Sequence, residues 1–170
     1  MKKVLLNVDE TKGSKRVLAS FRNVIGHAEE IILLHVAQPE GRTLMTAMLG
    51  EPEMSALRES LQGTELMETM NTKAEKILAY YKTELESSGQ DNIKTFIRTG
   101  NPVDEILKVA DEEDVDMLVL GCNGRKWYQK LVAGCVAKDV EKMAKVPVLI
   151  AKALGCEKSD FVLEEAYAAR

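Results

Sequence analysis

Short apolar runs alternate with segments of helical periodicity along most of this chain, and that alternation most constrains its fold. Val4 to Val8 is apolar, and the apolar residues that follow it recur at helical spacing until Gly26. Ile31 to Val36 is continuous and rich in branched residues, which is typical of a strand that is covered on both faces. Further strands are predicted at Ile93–Ile97, Val115–Leu120 and Val146–Ala151. Further helices are predicted to begin at Met67 and at Pro102, and the last predicted helix is lined by Val132, Val136, Val140 and Met143.

Strands that alternate with helices in this way predict a doubly wound α/β domain, with a mostly parallel sheet and helices on both faces. We expect the strand order 3-2-1-4-5, in which the winding direction reverses between strands one and four. Ligands of such sheets bind beyond the carboxyl ends of the strands at that reversal, which Asp9 and Gly121 would flank. The expected domain covers residues 1–153 with an insertion at about 38–63, and residues 154–170 form a tail that contains a short helix.

Charge and cysteine content exclude several classes of protein. The formal net charge of -4 argues against a nucleic-acid-binding protein, which usually has a basic face. Asn7, Asp9 and Glu10 interrupt the first apolar run before it is long enough for a signal peptide or a membrane span. The three cysteines contain no Cys-x-x-Cys pair and therefore indicate thiols in a reducing compartment. The sequence predicts a cytoplasmic protein with no nucleic-acid or membrane partner.

Three glycines follow the fourth predicted strand. Gly121 and Gly124 allow the backbone to turn sharply and to approach a bulky anion. Gly134 is placed in the first turn of the fourth helix, where uncommitted N–H groups and the helix dipole favour phosphate, and Arg125 adds positive charge nearby. The alternative is that the glycines only connect the strand to the helix and relieve crowding there.

The glycine spacing and two further segments resemble a known family. Gly121-x2-Gly124-x9-Gly134 is similar to the Gly-x2-Gly-x9-Gly-Ser/Thr nucleotide motif of the universal stress protein family. Val4–Asp9 resembles the first strand of that family with its aspartate, and Thr99–Ile106 resembles its Gly-x-Pro segment. The resemblance implies a Rossmann-like domain that binds ATP or AMP in one branch of the family, and a homodimer formed through strand five, at about residues 146–151.

The resemblance also implies a set of binding residues. Val8 and Asp9 would lie at the adenine and ribose, and Val36 would border the base. The candidate set is Val8, Asp9, Val36, Gly121, Gly124, Arg125, Gly134, Cys135 and Val136. Cys135 departs from the motif, which has Ser or Thr there; because a thiol is a weak donor, we expect reduced phosphate affinity. Cys135 is either a small thiol packed on the sheet or a redox-sensitive thiolate at a helix N-terminus.

The leading functional hypothesis is a cytoplasmic dimer in which ATP or AMP, with Mg2+ as an optional companion, biases conformation or the choice of an unidentified protein partner. Catalysis beyond slow ATP hydrolysis is not expected, because Asp9 is the sole convincing general base and the phosphate loop Gly-x4-Gly-Lys-Ser/Thr is absent from the sequence. One alternative is a dimeric adaptor of the same fold without nucleotide. The other is an adenine-nucleotide hydrolase, which would need a glycine-rich, serine-containing loop after strand one.

Two further features have structural explanations. His35 lies in an apolar strand, where a histidine is usually a hydrogen-bonded core residue. The acidic run from Asp111 to Asp116 suggests a metal, but it falls at a helix-to-strand turn opposite the expected ligand edge. We expect that run to be solvated.

Overall fold

A computed structural model describes residues 2–37, 65–122 and 135–152 of the chain. The described strands form one parallel sheet in the order β3-β2-β1-β4-β5, which confirms the predicted doubly wound topology. The strands are β1 (Lys3–Asn7), β2 (Glu30–Ala37), β3 (Ile93–Thr99), β4 (Met117–Gly121) and β5 (Val148–Ala151). The helices are α1 (Lys12–Ser20, continued by a π-helical turn at Phe21–Ile25), α2 (Glu65–Glu86), α3 (Pro102–Glu112) and α4 (Val136–Met143).

The strand pairings on the two sides of β1 differ in length. β1 pairs with β2 over five residue pairs, and β2 pairs with β3 over seven. The seam between β1 and β4 has three pairs, from Val4 with Met117 to Leu6 with Val119, and one further backbone hydrogen bond from Asp116 N–H to the Lys3 carbonyl. The winding direction therefore reverses across the shortest pairing next to the central strand.

Two apolar cores lie on opposite faces of the sheet because successive strand residues point in opposite directions. On the first face, α1 and α2 pack on the strands, and the buried residues include Val4, Leu6, Phe21, Leu33 and Leu85. On the second face, α3 and α4 cover the strands, and the buried residues include Leu5, Leu34, Ile106, Leu118 and Val140. Each strand of the central trio is therefore apolar at consecutive positions, as the sequence predicted.

The structure describes the N-cap residues of α1, α3 and α4, and the side chain of the first two makes a capping hydrogen bond. Thr11 caps α1 and accepts from the Gly13 N–H at 3.3 Å. Asn101 caps α3 and accepts from the Val103 N–H at 3.1 Å, with Pro102 as the first helical residue. Cys135 is the N-cap of α4 and makes no side-chain capping hydrogen bond. The N-cap side chain of α4 therefore supplies no acceptor to the first turn, in contrast to those of α1 and α3.

Some sequence-based boundaries are corrected by the structure. α4 begins at Val136 after the cap residue Cys135, and Gly134, which the sequence predicts in the first turn of this helix, lies outside the described residues. Met143 is the last helical residue and is 60% exposed, so the expectation that it lines the buried face of this helix was wrong. β5 begins at Val148, two residues later than predicted. The predicted insertion at 38–63 and tail at 154–170 lie outside the described residues.

None of the helices in the described ranges is both long enough and apolar enough to cross a bilayer.

Candidate functional site

Asp9 organises the turn between β1 and α1 at the carboxyl edge of the sheet. Its Oδ1 accepts from the Thr11 N–H at 2.8 Å, from Thr11 Oγ1 at 2.5 Å and from Ser14 Oγ at 2.6 Å. The Asp9 N–H in turn donates to Ser14 Oγ at 2.6 Å, and Ser14 is buried. One carboxylate oxygen thus holds the start of α1.

Val8 contributes to this edge through its backbone. Its side chain is fully buried in the core of the first face, and its N–H donates to the Leu34 carbonyl at 2.9 Å. His35 Nδ1 lies 2.8 Å from the Val8 carbonyl oxygen. Because a carbonyl can only accept, Nδ1 carries the proton in this contact. His35 is hydrogen-bonded, as expected from the sequence, but it is half-buried and does not belong to the core.

Gly121 ends β4 directly against the first turn of α1. A Cβ added to Gly121 would lie 3.0 Å from both the carbonyl carbon and the carbonyl oxygen of Gly13. The absence of a side chain at Gly121 is therefore required by a backbone contact within the protein. This contact joins the two segments that flank the reversal point of the sheet.

Three side chains reach the carboxyl edge on the second face. Asn7 follows the core residue Leu5 by two positions, and Val36 likewise follows Leu34. Cys122 follows Leu120 by two positions at the end of β4. Strand alternation places Asn7, Val36 and Cys122 on one face, and the parallel register aligns Asn7 with Leu34, so that Val36 and Cys122 lie two residues further toward the carboxyl edge. We call this group, together with Cys135 and Val136, the second-face site.

Asn7 has an unsatisfied polar atom in this site. Its Oδ1 is buried and has no hydrogen-bond partner among the described residues. A buried acceptor left without a donor destabilises a protein by about 1–3 kcal/mol. Such an atom in a native protein calls for an explanation, and a bound ligand that donates a hydrogen bond is one.

Cys135 brings the start of α4 to the same place. Its Sγ lies 3.8 Å from Cys122 Sγ, and Cys135 and Val136 both pack against the core of the second face. The N-terminus of a helix has partial positive charge and N–H groups without intrahelical partners. Since the Cys135 side chain does not cap them, an anion can satisfy these groups.

The structure thus separates the predicted binding residues into three groups. Val36, Cys135 and Val136 all pack against the core of the second face. Asp9 lies in the turn at the same edge, while the Val8 side chain and Gly121 belong to the first-face side. Gly124, Arg125 and Gly134 lie outside the described residues.

Sequence reasoning missed Asn7 and Cys122 as members of this site. The available signal was their spacing of two from Leu5 and Leu120, which places a polar residue and a thiol on an otherwise apolar strand face. That signal becomes informative only when the face covered by α4 is known.

Comparison with known proteins decides the family. A family model described as the universal stress protein family matches residues 1–152. This chain belongs to the universal stress protein family. Universal stress protein MJ0577 from Methanocaldococcus jannaschii is 32% identical over 128 residues, which are 74% of this chain and 78% of that protein. Universal stress protein Rv1636 from Mycobacterium tuberculosis is 26% identical over 149 residues, 88% of this chain and 94% of that protein.

Solved structures of universal stress proteins have the same fold. The structure of MJ0577 superposes with a TM-score of 0.68 at 29% identity, and the match covers 94% of this chain and 98% of that one. A universal stress protein family member from Arabidopsis thaliana with AMP bound gives a TM-score of 0.60 at 20% identity, covering 94% of this chain and 97% of that one.

Proposed function

We propose that this universal stress protein binds an adenine nucleotide, ATP or AMP, at the carboxyl edge of its sheet. The observation that carries the proposal is the buried Asn7 Oδ1, which lacks a donor among the described residues and lies on the same face as the start of α4, where the Cys135 side chain makes no capping hydrogen bond. A ligand with hydrogen-bond donors at one end and negative charge at the other satisfies both features. Adenine nucleotides have this chemistry, because their base and ribose carry donors and their phosphates are anionic.

The proposed orientation follows from the polarity of the two ends of the second-face site. The phosphates bind at the positive end of α4, at Cys135 and Val136. Gly124, Arg125 and Gly134, which precede this helix in the sequence, complete the phosphate side. The base and ribose lie toward β1 and β2, near Val36 and Asn7, with the Asp9 turn and the Val8 backbone at the same edge. ATP brings Mg2+ on its own phosphates.

Relatives support this proposal at the level of the fold. The Arabidopsis thaliana protein holds AMP and has the same fold at 20% identity. An adenine nucleotide is therefore compatible with this architecture, and the residues of the second-face site give the chain-specific reason to expect one here.

A substitution at Cys135 tests the phosphate end. We expect Cys135→Ser to bind ATP and AMP about tenfold more tightly, because a hydroxyl donates to a charged acceptor more strongly than a thiol. Isothermal titration calorimetry with AMP, and with ATP plus Mg2+, measures the effect. Cys156→Ser, which makes the same chemical change outside the residues matched by the family model, serves as the control and should bind like the wild type.

Gently purified protein gives a second test. Adenine nucleotide should be recovered from it by mass analysis after extraction. If no nucleotide is recovered and neither the wild type nor Cys135→Ser binds nucleotide at millimolar concentration, the adaptor hypothesis replaces this proposal.

The proposal includes a cytoplasmic homodimer formed through β5, in which bound nucleotide biases conformation or the choice of protein partner. β5 is at the edge of the sheet. The carbonyls of Ala151 and of Pro147, which directly precedes β5, accept from the N–H groups of Cys122, which directly follows β4, and of Leu118 in β4. Alternation then directs the Ile150 N–H outward. Ile150→Pro removes that donor and should convert the dimer into a monomer in sedimentation experiments. Tyr80→Ser, which changes an exposed residue of α2, should leave the dimer intact. A monomeric wild type would contradict the proposed dimer.

A further inference from the structure

We propose that Cys122 and Cys135 are a redox modification site in which an oxidant of the peroxide class joins the two thiols in an intramolecular disulfide. Their sulfur atoms are already in contact at 3.8 Å, and neither cysteine is part of a disulfide. Cys122 is buried and Cys135 is half-buried, so the oxidant reaches Cys135 first.

The backbone holds both cysteines in place. The Cys122 N–H donates to the Ala151 carbonyl at 3.0 Å, which fixes the end of β4 beside β5. The Cys135 carbonyl accepts from the Lys138 N–H at 2.8 Å and from the Asp139 N–H at 3.0 Å, which fixes the start of α4. A disulfide has an S–S length of about 2.05 Å, so the sulfurs must approach by about 1.8 Å.

The chemistry is balanced with hydrogen peroxide as the oxidant. The Cys135 thiolate attacks one peroxide oxygen, the O–O bond breaks, and hydroxide leaves and takes up a proton to become water. The product is Cys135 sulfenic acid, in which sulfur has been oxidised by two electrons. Cys122 sulfur then attacks Cys135 sulfur, its proton goes to the departing hydroxyl group, and a second water leaves as the S–S bond forms. Two thiols and one peroxide thus give one disulfide and two waters.

The disulfide closes a ring through the proposed phosphate segment. Residues 123–134 connect the two cysteines and contain Gly124, Arg125 and Gly134. Resting on the proposed function, we expect oxidation to lower nucleotide affinity by about fivefold or more, because the bond draws the N-cap residue of α4 toward β4. Linkage requires that bound nucleotide favour the dithiol by the same factor.

The test uses the full chain with Cys156→Ala, which leaves only the two cysteines of interest. After treatment with hydrogen peroxide, tryptic digestion without reductant should yield peptide 109–125 joined to peptide 131–138, since Arg125, Lys126 and Lys130 separate the cysteines. The intact chain should lose two hydrogens. The matched control, Cys135→Ser with Cys156→Ala, should give no joined peptides.

Three results would overturn the disulfide: a bond between two chains, sulfinic or sulfonic acid without joined peptides, or unreacted thiols under conditions that oxidise glutathione. Nucleotide titration of the oxidised and reduced protein then tests the coupling. Joined peptides with unchanged nucleotide affinity would overturn the coupling and leave the proposed function standing. Joined peptides in a protein that binds no nucleotide even when reduced would overturn the proposed function and leave the modification site standing.

Discussion

The two edges of the same sheet treat their polar groups in opposite ways. At the amino edge, Lys94 Nζ lies 2.7 Å from Glu30 Oε1 and 3.4 Å from Glu113 Oε2, and Lys3 Nζ lies 3.3 Å from Glu30 Oε2. At the carboxyl edge, Asn7 Oδ1 has no partner among the described residues, and α4 begins without a side-chain cap. Local rules of polar satisfaction are usually broken where a protein binds something else, and here that edge is the carboxyl one.

The acidic run from Asp111 to Asp116 lies at the amino edge of the sheet, where most of its carboxylates have partners within the protein. Asp116 Oδ2 accepts from the Lys3 N–H at 2.7 Å, and Asp111 pairs with Lys145 at 2.7 Å. Glu112 pairs with Arg98, which lies toward the carboxyl end of β3 and, like Asn7, has a buried atom, Nε, without a hydrogen-bond partner among the described residues. The sequence-based expectation of simple solvation is therefore incomplete, because these carboxylates have partners from β1, β3 and the segment before β5. Their arrangement explains the run as a structural feature of the amino edge.

The largest expected effect concerns the rigidity of the carboxyl edge. Gly121→Val should lower the free energy of unfolding by about 3 kcal/mol, because the new side chain meets the Gly13 backbone and the neighbouring strand and helix cannot move apart freely. Gly121→Ala should show a smaller loss of about 1 kcal/mol in the same urea titrations. Wild-type stability in both variants would show that the two segments are not in tight contact.

An intermediate effect, of opposite sign, is expected at Asn7. Asn7→Leu should raise the free energy of unfolding of the nucleotide-free protein by about 1 kcal/mol, because it removes a buried acceptor that has no partner in the described part of the chain. The same change should weaken nucleotide binding. Asn92→Leu is the control near the amino edge: its exposed amide donates to the Glu29 carbonyl at 3.1 Å, so the substitution should bring no gain. A loss of stability in Asn7→Leu would contradict the contrast between the edges.

The smallest effect is expected in the amino-edge network. The ion pair with Lys94, followed by the one with Lys3, holds the pKa of Glu30 below its ordinary value of 4.5. The folded state thus binds fewer protons at Glu30 than the unfolded state, so this contribution is complete above pH 4.5 and is lost as pH falls through the lowered pKa. Glu30→Gln should reduce stability by about 0.5–1 kcal/mol at neutral pH.

Urea titrations of wild type and Glu30→Gln, from neutral pH to below the lowered pKa of Glu30, measure the contribution of Glu30 to the free energy of unfolding. The difference between the two proteins should shrink in acid, and it should also shrink at high salt, which screens exposed ion pairs. A constant difference at all pH values would show that the pairing of Glu30 is not its cause.

Local sequence signals predicted the strands and the Asn101 cap with Pro102, because these depend on periodicity and on neighbours within a few residues. The strand order was expected from the doubly wound topology as a whole and is confirmed. The contacts between Gly13 and Gly121 and between Cys122 and Cys135 could not be predicted in this way. They depend on where α1 and α4 meet the end of β4, which is fixed by the packing of the whole sheet. Asn7 shows the same limit, since a lone polar residue in a strand has no assigned face before the helices are placed.

The short seam between β1 and β4 has a consequence for the dynamics of the molecule. With three residue pairs there, against five and seven on the other side of β1, the half made of β4, α4 and β5 is the unit that we expect to open first in native-state hydrogen exchange. A molecule that bridges Asn7 and the start of α4 would tie the halves together and slow amide exchange in β4 and β5 more than in β2 and β3.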